Sequence, residues 1–365
     1  MKRRISTKAK KLYDFYKSDL TIKDVEKLIV RDVPELYDFY AGRMEKPGNT
    51  KNKPHRIILF IKNLFIEFLE QLTPIRRIIF SGALVIYLLS YLNSDWQWAT
   101  IAFVLVCLLI AFELADKLTA KDELAVARKI QKSLMPKAPP YNDQYEISCF
   151  MENAKEVGGD YYDFIKCENT TGKLYVVVGD ISGKGMAAAL HMVQVQSILH
   201  QTIYNCRTPK EILSSINKNI KRILPLGSFF TVCIASINPD GSLLLSRAGH
   251  LPVLYYQKNE NTFKNLLPKG IGIGIAENGL FDSTLEEICI KPSKNDILVF
   301  YTDGVIETRN KFKQEYGEER LRQIISKYKD FSSNEIINSI IENISLFRDD
   351  TPSHDDFTLV ILKAK

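Results

Sequence analysis

The chain has 365 residues, 45 % of them hydrophobic and 25 % charged, enough for one sizeable catalytic domain and an accessory region. Its formal charge of +6 is uneven: residues 1–77 hold 18 Lys+Arg against 10 Asp+Glu, a net +8, which leaves −2 on the other 288 residues. A basic excess confined to the flank of an apolar span suits a membrane surface and argues against nucleic-acid binding by the main domain. The cysteines Cys107, Cys149, Cys167, Cys206, Cys233 and Cys289 form no Cys-x-x-Cys pair. Their scatter excludes a zinc ribbon or a redox motif and fits free thiols in a reducing compartment.

In chain order, residues 1–77 predict a cytoplasmic basic helical region. Its last part, His55 to Leu72, is amphipathic: Lys62, Asn63, Glu67, Glu70 and Gln71 share one half of a helical wheel, and Ile58, Ile61, Phe65, Phe68 and Leu69 share the other. Such a helix either lies in a membrane interface or packs within a small helical domain. Ile78–Leu92 and Trp98–Phe112 are charge-free apolar runs joined by Asn93-Ser94-Asp95-Trp96-Gln97. Each covers about 22–25 Å as a helix, against about 30 Å of hydrocarbon. The pair predicts a transmembrane hairpin over 78–114, anchored by tryptophans at one boundary and Arg76-Arg77 at the other, with both long ends cytoplasmic. No signal-peptide pattern opens the chain, because the first apolar run starts too late.

Residues 115–140 predict a linker. Leu114 to Met135 reads as one helix, stopped by Pro136. It serves either as half of a short coiled coil in a homodimer or as a solitary connector. From 141 to 365 the pattern turns mixed. Apolar β-branched or aromatic runs predict strands at 174–178, 229–235, 242–246, 253–256, 297–301 and 358–362, with a hairpin turn at Pro239-Asp240-Gly241. Helices fit at 185–203, 208–223, 317–328 and 333–347. Strands in succession with helices in blocks predict an α+β domain on antiparallel sheets.

Four acidic clusters stand at strand ends: Asp160 with Asp163, Asp180, Asp303, and Asp355 with Asp356, most of them beside glycines. Carboxylates there resist burial unless cations sit among them. Oxygen donors without His or Cys suit Mn²⁺ or Mg²⁺ rather than zinc, and a pair of such ions can orient a phosphate for hydrolysis. A single Asp-Gly is usually a surface turn; four such sites in one domain are harder to dismiss. Gly179 to Gly185 mimics a phosphate-binding loop but has the wrong spacing. Gly270-Ile271-Gly272-Ile273-Gly274 misses the dinucleotide spacing and reads as a bend or flexible flap.

Taken with Arg247-Ala248-Gly249-His250, the stretches Glu156–Asp163, Val178–Gly185, Phe300–Glu307 and Asp355–Val360 resemble, in order, the motifs of the bacterial sporulation and stress-response branch of the PPM (type 2C-like) metal-dependent serine/threonine phosphatases. Ala127–Pro136 is similar to the helix that precedes the phosphatase in sensor-linked members. The resemblance runs from about 140 to the C-terminus. It implies a PPM-type antiparallel β-sandwich flanked by helices, here preceded by the two-helix transmembrane hairpin. It also implies a two-ion Mn²⁺ or Mg²⁺ centre.

By position, the resemblance implies that Asp160 and Asp180 would touch both ions, Ile181 would offer its carbonyl, and Asp303 and Asp355 would complete the donors around the second ion. Asp356 stands beside the last ligand, and Asp163 falls outside the ligand positions. Ser182 replaces the histidine of eukaryotic members, and Lys155 replaces a phosphate-binding arginine. Lys184 and His250 are further candidates for substrate binding, His250 also as a turn residue. The implied substrate is a phosphorylated regulatory protein such as a STAS-type anti-sigma-factor antagonist. The rival readings are a catalytically silent phosphoprotein-binding scaffold and a phosphodiesterase or nucleotide hydrolase.

Overall fold

A computed structural model describes residues 53–167, 172–205, 208–220, 225, 227–349 and 351–365. The first 52 residues of the basic region lie outside that set, as does Cys206. The chain divides into two compact units, Met1–Thr119 and Ala120–Lys365.

In the first unit, α1 (Lys53–Gln71) is followed by α2 (Pro74–Asn93). Pro74 opens α2, where its missing N–H costs nothing. Arg77 fastens the corner by donating to the carbonyls of Leu69, Glu70 and Leu72, and Phe68 meets Phe80 edge-on at 5.4 Å. Ser94 closes α2 in the left-handed region, φ 57°. The chain then enters α3 (Trp96–Leu134), one uninterrupted helix of 39 residues. The second apolar run and the linker are therefore a single element. Arg76 pairs with Glu113 and Asp116 of α3 at 2.9 and 2.7 Å. Both α2 and α3 are long and apolar enough to cross a membrane.

The second unit is a four-layer sandwich. One sheet has the order β1-β10-β9-β6-β7, the other β2-β3-β4-β5-β8, and their paired strands are antiparallel. The strands are β1 (Tyr145–Glu152), β2 (Asp160–Lys166), β3 (Leu174–Ile181), β4 (Phe230–Ile237), β5 (Leu243–Ala248), β6 (Val253–Gln257), β7 (Thr262–Leu266), β8 (Glu287–Ile290), β9 (Ile297–Tyr301) and β10 (Phe357–Ala364).

Alternation sorts their side chains. Tyr162, Val176, Val178 and Cys233 meet Leu298, Phe300, Val360 and Leu362 between the sheets. The opposite face of β2 and β3, Tyr161, Tyr175 and Val177, packs under α4 (Met186–Asn205) and α5 (Pro209–Ile220). The outer face of β9 and β10 packs under α8 (Gly317–Tyr328) and α9 (Ser333–Arg348). Each fully buried Ile, Val or Leu in these layers contributes about 1.5–3 kcal/mol. Two short helices complete the unit, α6 (Asn278–Thr284) and α7 (Asp303–Glu307).

The expected flap at Gly270–Gly274 is instead pinned. Ile273 exchanges two backbone hydrogen bonds with Phe230, at 2.9 and 3.0 Å, and Gly249 donates to Gly270. A Cβ on Gly270 would collide with the Arg247 carbonyl. The glycines serve close backbone packing rather than mobility.

Candidate active site

β2 and β3 pair so that Asp160 lies directly opposite Asp180. Both belong to the face that points between the sheets, alongside Tyr162 and Val178. From the other sheet, β9 ends at Tyr301 and delivers Asp303 at the head of α7, while Asp355 and Asp356 immediately precede β10. The two sheets thus bring four chain segments to one end of the sandwich.

Their mutual influence is electrostatic. Burial and then the charge of Asp180 raise the Asp160 carboxyl well above its usual range. Burial, followed by Asp303, Asp355 and Asp356, pushes Asp180 up to about 7. Burial and Asp355 raise Asp303. Carboxylates that hinder one another's ionisation are relieved by a cation, and only oxygen donors converge here, so the residues fit Mg²⁺ or Mn²⁺. Among the described residues, no three carboxylates are already gathered around one point. Their present partners explain why. Thr302 and Thr358 both donate to Asp160 Oδ2, at 2.7 and 2.6 Å. Asp356 accepts the amides of Ala154 and Gly159 at 2.9 and 2.7 Å. Lys184 Nζ reaches Asp355 Oδ2 at 2.5 Å and the His354 carbonyl at 3.4 Å.

The loops are closely fitted. A Cβ on Gly304 would strike the Asp356 carbonyl, and one on Gly159 would come within 2.8 Å of the Ile181 carbonyl, the carbonyl the sequence singles out. Lys184, Gly304, Glu307, Arg309, His354 and Asp355 line a cleft of about 320 Å³ beside the carboxylates.

Lys155 is exposed on the loop before β2. His250 is buried beside β4, its Nδ1 3.1 Å from Oγ1 of Thr231, the residue paired with Asp180; burial lowers its pKa to about 4, so the ring is neutral near pH 7. Ser182 accepts the Phe229 amide through its hydroxyl at 2.8 Å. Asp163 points to the opposite face of β2, where it takes the Tyr161 hydroxyl at 2.6 Å and His200 Nε2 at 2.7 Å. Sequence reasoning missed Thr302 and Thr358. Thr302 and Thr358 adjoin or nearly adjoin acidic motifs, the one signal that points to them.

Known proteins resemble this chain in the same region. The Stage II sporulation protein E (SpoIIE) family model matches residues 170–365. The phosphoserine phosphatase RsbU of Bacillus subtilis is 30 % identical over 251 residues, 67 % of this chain and 71 % of that protein. Protein IcfG of Synechocystis is 27 % identical over 281 residues, covering 69 % of this chain but only 43 % of IcfG. The SiaA-PP2C domain of Pseudomonas aeruginosa superposes with a TM-score of 0.59 at 16 % identity, over 68 % of this chain and 98 % of that one. The RsbU and RsbW domains of Rv1364c from Mycobacterium tuberculosis give 0.51 at 23 % identity, over 61 % and 60 %. With its paired sheets and strand-end carboxylates, the chain belongs to the SpoIIE family of PP2C-fold protein phosphatases.

Proposed function

We propose that this chain is a membrane-anchored, metal-dependent phosphatase that hydrolyses phosphoserine or phosphothreonine in a regulatory partner protein. The observation that carries the reading is the convergence of Asp160, Asp180, Asp303 and Asp355, from both sheets, at one end of the sandwich. These four, with the Ile181 carbonyl, would hold two Mn²⁺ or Mg²⁺ ions. Bound there, the ions would supply positive charge for the phosphate and lower the pKa of a water.

The chain's own residues do the rest. Thr302 and Thr358 fix Asp160, and Asp356 ties the loop before β2 to the start of β10. Lys184, already at the cleft, is placed to exchange its carboxylate partner for a phosphate oxygen as a point charge. Lys155 offers a second positive charge from the neighbouring loop. Kinship with RsbU supports a phosphorylated STAS-type anti-sigma-factor antagonist as the substrate. The apolar helices α2 and α3 support a multi-pass anchor that leaves the catalytic unit in the cytoplasm, and α3 offers a surface for a homodimer. One feature favours the silent-scaffold alternative: Lys184 occupies a carboxylate that a metal would need.

The deciding experiment uses the full chain in detergent with Mn²⁺, a phosphoserine peptide and p-nitrophenyl phosphate. Phosphate release is expected, and Asp180→Asn should lower it on the order of 100-fold or more, as loss of a residue that would hold the metal exceeds the effect of losing a group that merely supports one. A wild-type chain that binds manganese but releases no phosphate would sink the catalytic reading in favour of the scaffold.

A further inference from the structure

Gln131 sits in the last turns of α3 and is only 4 % exposed, in a stretch where its neighbours Ile130, Lys132 and Ser133 face solvent. Burying a primary amide requires that its donors and acceptor be met. Here Gly158 meets the acceptor and one donor. Gln131 Nε2 donates to the Gly158 carbonyl at 2.6 Å, and Gln131 Oε1 accepts the Gly158 amide at 3.2 Å. Asn153 Nδ2 adds a third bond, to Oε1 at 3.3 Å. The side chain therefore treats Gly158 as a neighbouring strand would, by engaging both backbone groups.

The same loop is gripped from the other side. Asp356 accepts the amides of Gly159 and Ala154. A Cβ on Gly158 would collide with the Asp356 carboxylate, so the loop is clamped between two side chains at contact distance. Asp160 follows two residues later. The end of α3 is itself held: the Leu134 carbonyl accepts from Gln196 Nε2 of α4 at 2.7 Å, and Arg128 pairs with Glu156 of the same loop at 3.2 Å.

We propose that Gln131 is a positioning residue that sets the backbone of Gly158 and thereby the aim of the Asp160 carboxylate. The position of the last turns of α3 is then an input to the site. The inference rests on the metal-centre reading above. A helix that rotated by one residue would withdraw the amide from Gly158 and leave two buried backbone groups unmet.

The test is manganese titration calorimetry on the full chain in detergent, comparing wild type, Gln131→Ala, the near-isosteric Gln131→Glu and the solvent-facing control Lys132→Ala. Both Gln131 variants should weaken manganese binding on the order of tenfold or more, the range for groups that hold a metal ligand in place. The melting temperature of the metal-free chain should fall by several degrees at most, because the buried Gly158 groups lose their partners, and both variants should stay folded at the titration temperature. The turnover rate should fall at limiting manganese and recover at saturating manganese, with KM for the phosphopeptide unchanged. Lys132→Ala should match wild type throughout. Unchanged manganese affinity in both Gln131 variants would overturn the inference while leaving the phosphatase reading intact. So would failure of both variants to fold at the titration temperature, because the residue would then be only a part of the scaffold. If the wild-type chain takes up no manganese, the metal-centre reading falls and this inference falls with it.

Discussion

Burial and the charges of Asp303, Asp355 and Asp356 push the Asp180 carboxyl up to about 7, against 3.8 for a free aspartate. The folded chain therefore holds this proton more tightly than the unfolded chain does. Stability from the group is fully present below about pH 4 and is lost as pH rises through about 7. Asp160, Asp303 and Asp356 are raised in the same sense, as is His200 through its bond to Asp163. With metal chelated, the chain should melt at a higher temperature at pH 5 than at pH 8. Asp180 alone supplies about 2–4 kcal/mol of that difference, or roughly 5–15 °C. Manganese should abolish or invert the trend, and Asp180→Asn should flatten it; thermal melts across pH with and without chelator measure both. These carboxylates are legible in the sequence because four acidic clusters, most of them beside glycine, flank apolar runs in one domain, whereas any one alone would read as a turn. Gln131 is not legible. A glutamine on a polar helix looks like any solvated residue, and only the fold brings it to Gly158, 27 residues away.

At the scale of elements, the six apolar runs read from the sequence all became strands, and the other four strands did not stand out. The division is physical. β1 and β7 are the edges of one sheet, and β2 and β8 are the edges of the other. An edge strand is less enclosed, so its sequence mixes polar residues: Glu146 and Glu152 in β1, Thr262 and Lys264 in β7. The central strands, enclosed on both sides, read as continuous hydrophobic runs. Element junctions are where the packing is least forgiving. Gly304, in α7, abuts the Asp356 carbonyl, so Gly304→Ala must push α7 away from β10. Overpacking of this kind costs about 1–3 kcal/mol, and the melting temperature should drop by about 2–4 °C for each kcal/mol. Gly279→Ala, in α6 with no atom near the added methyl, should leave it unchanged or slightly higher.

For the whole molecule, the chain divides between Thr119 and Ala120, inside the helix that joins the second apolar run to the linker the sequence sets apart. Periodicity does not show this, because the apolar surface of α3 changes from all-round to sparse without any helix-breaking residue between. The proposed orientation rests on the basic flank before α2. Protease added to inverted membrane vesicles should digest the unit from Ala120 to Lys365, whereas right-side-out vesicles should protect it. The opposite pattern would reverse the topology.

Two threonine hydroxyls, from Thr302 and Thr358, converge on the same oxygen of Asp160. That oxygen is committed, so Asp160 can turn only its other oxygen toward a newcomer. A one-toothed carboxylate suits a small, strictly octahedral ion and serves poorly a larger one that prefers carboxylates gripping with both oxygens. In the proposed metal centre, these two hydroxyls would thus disfavour calcium by holding one oxygen of Asp160.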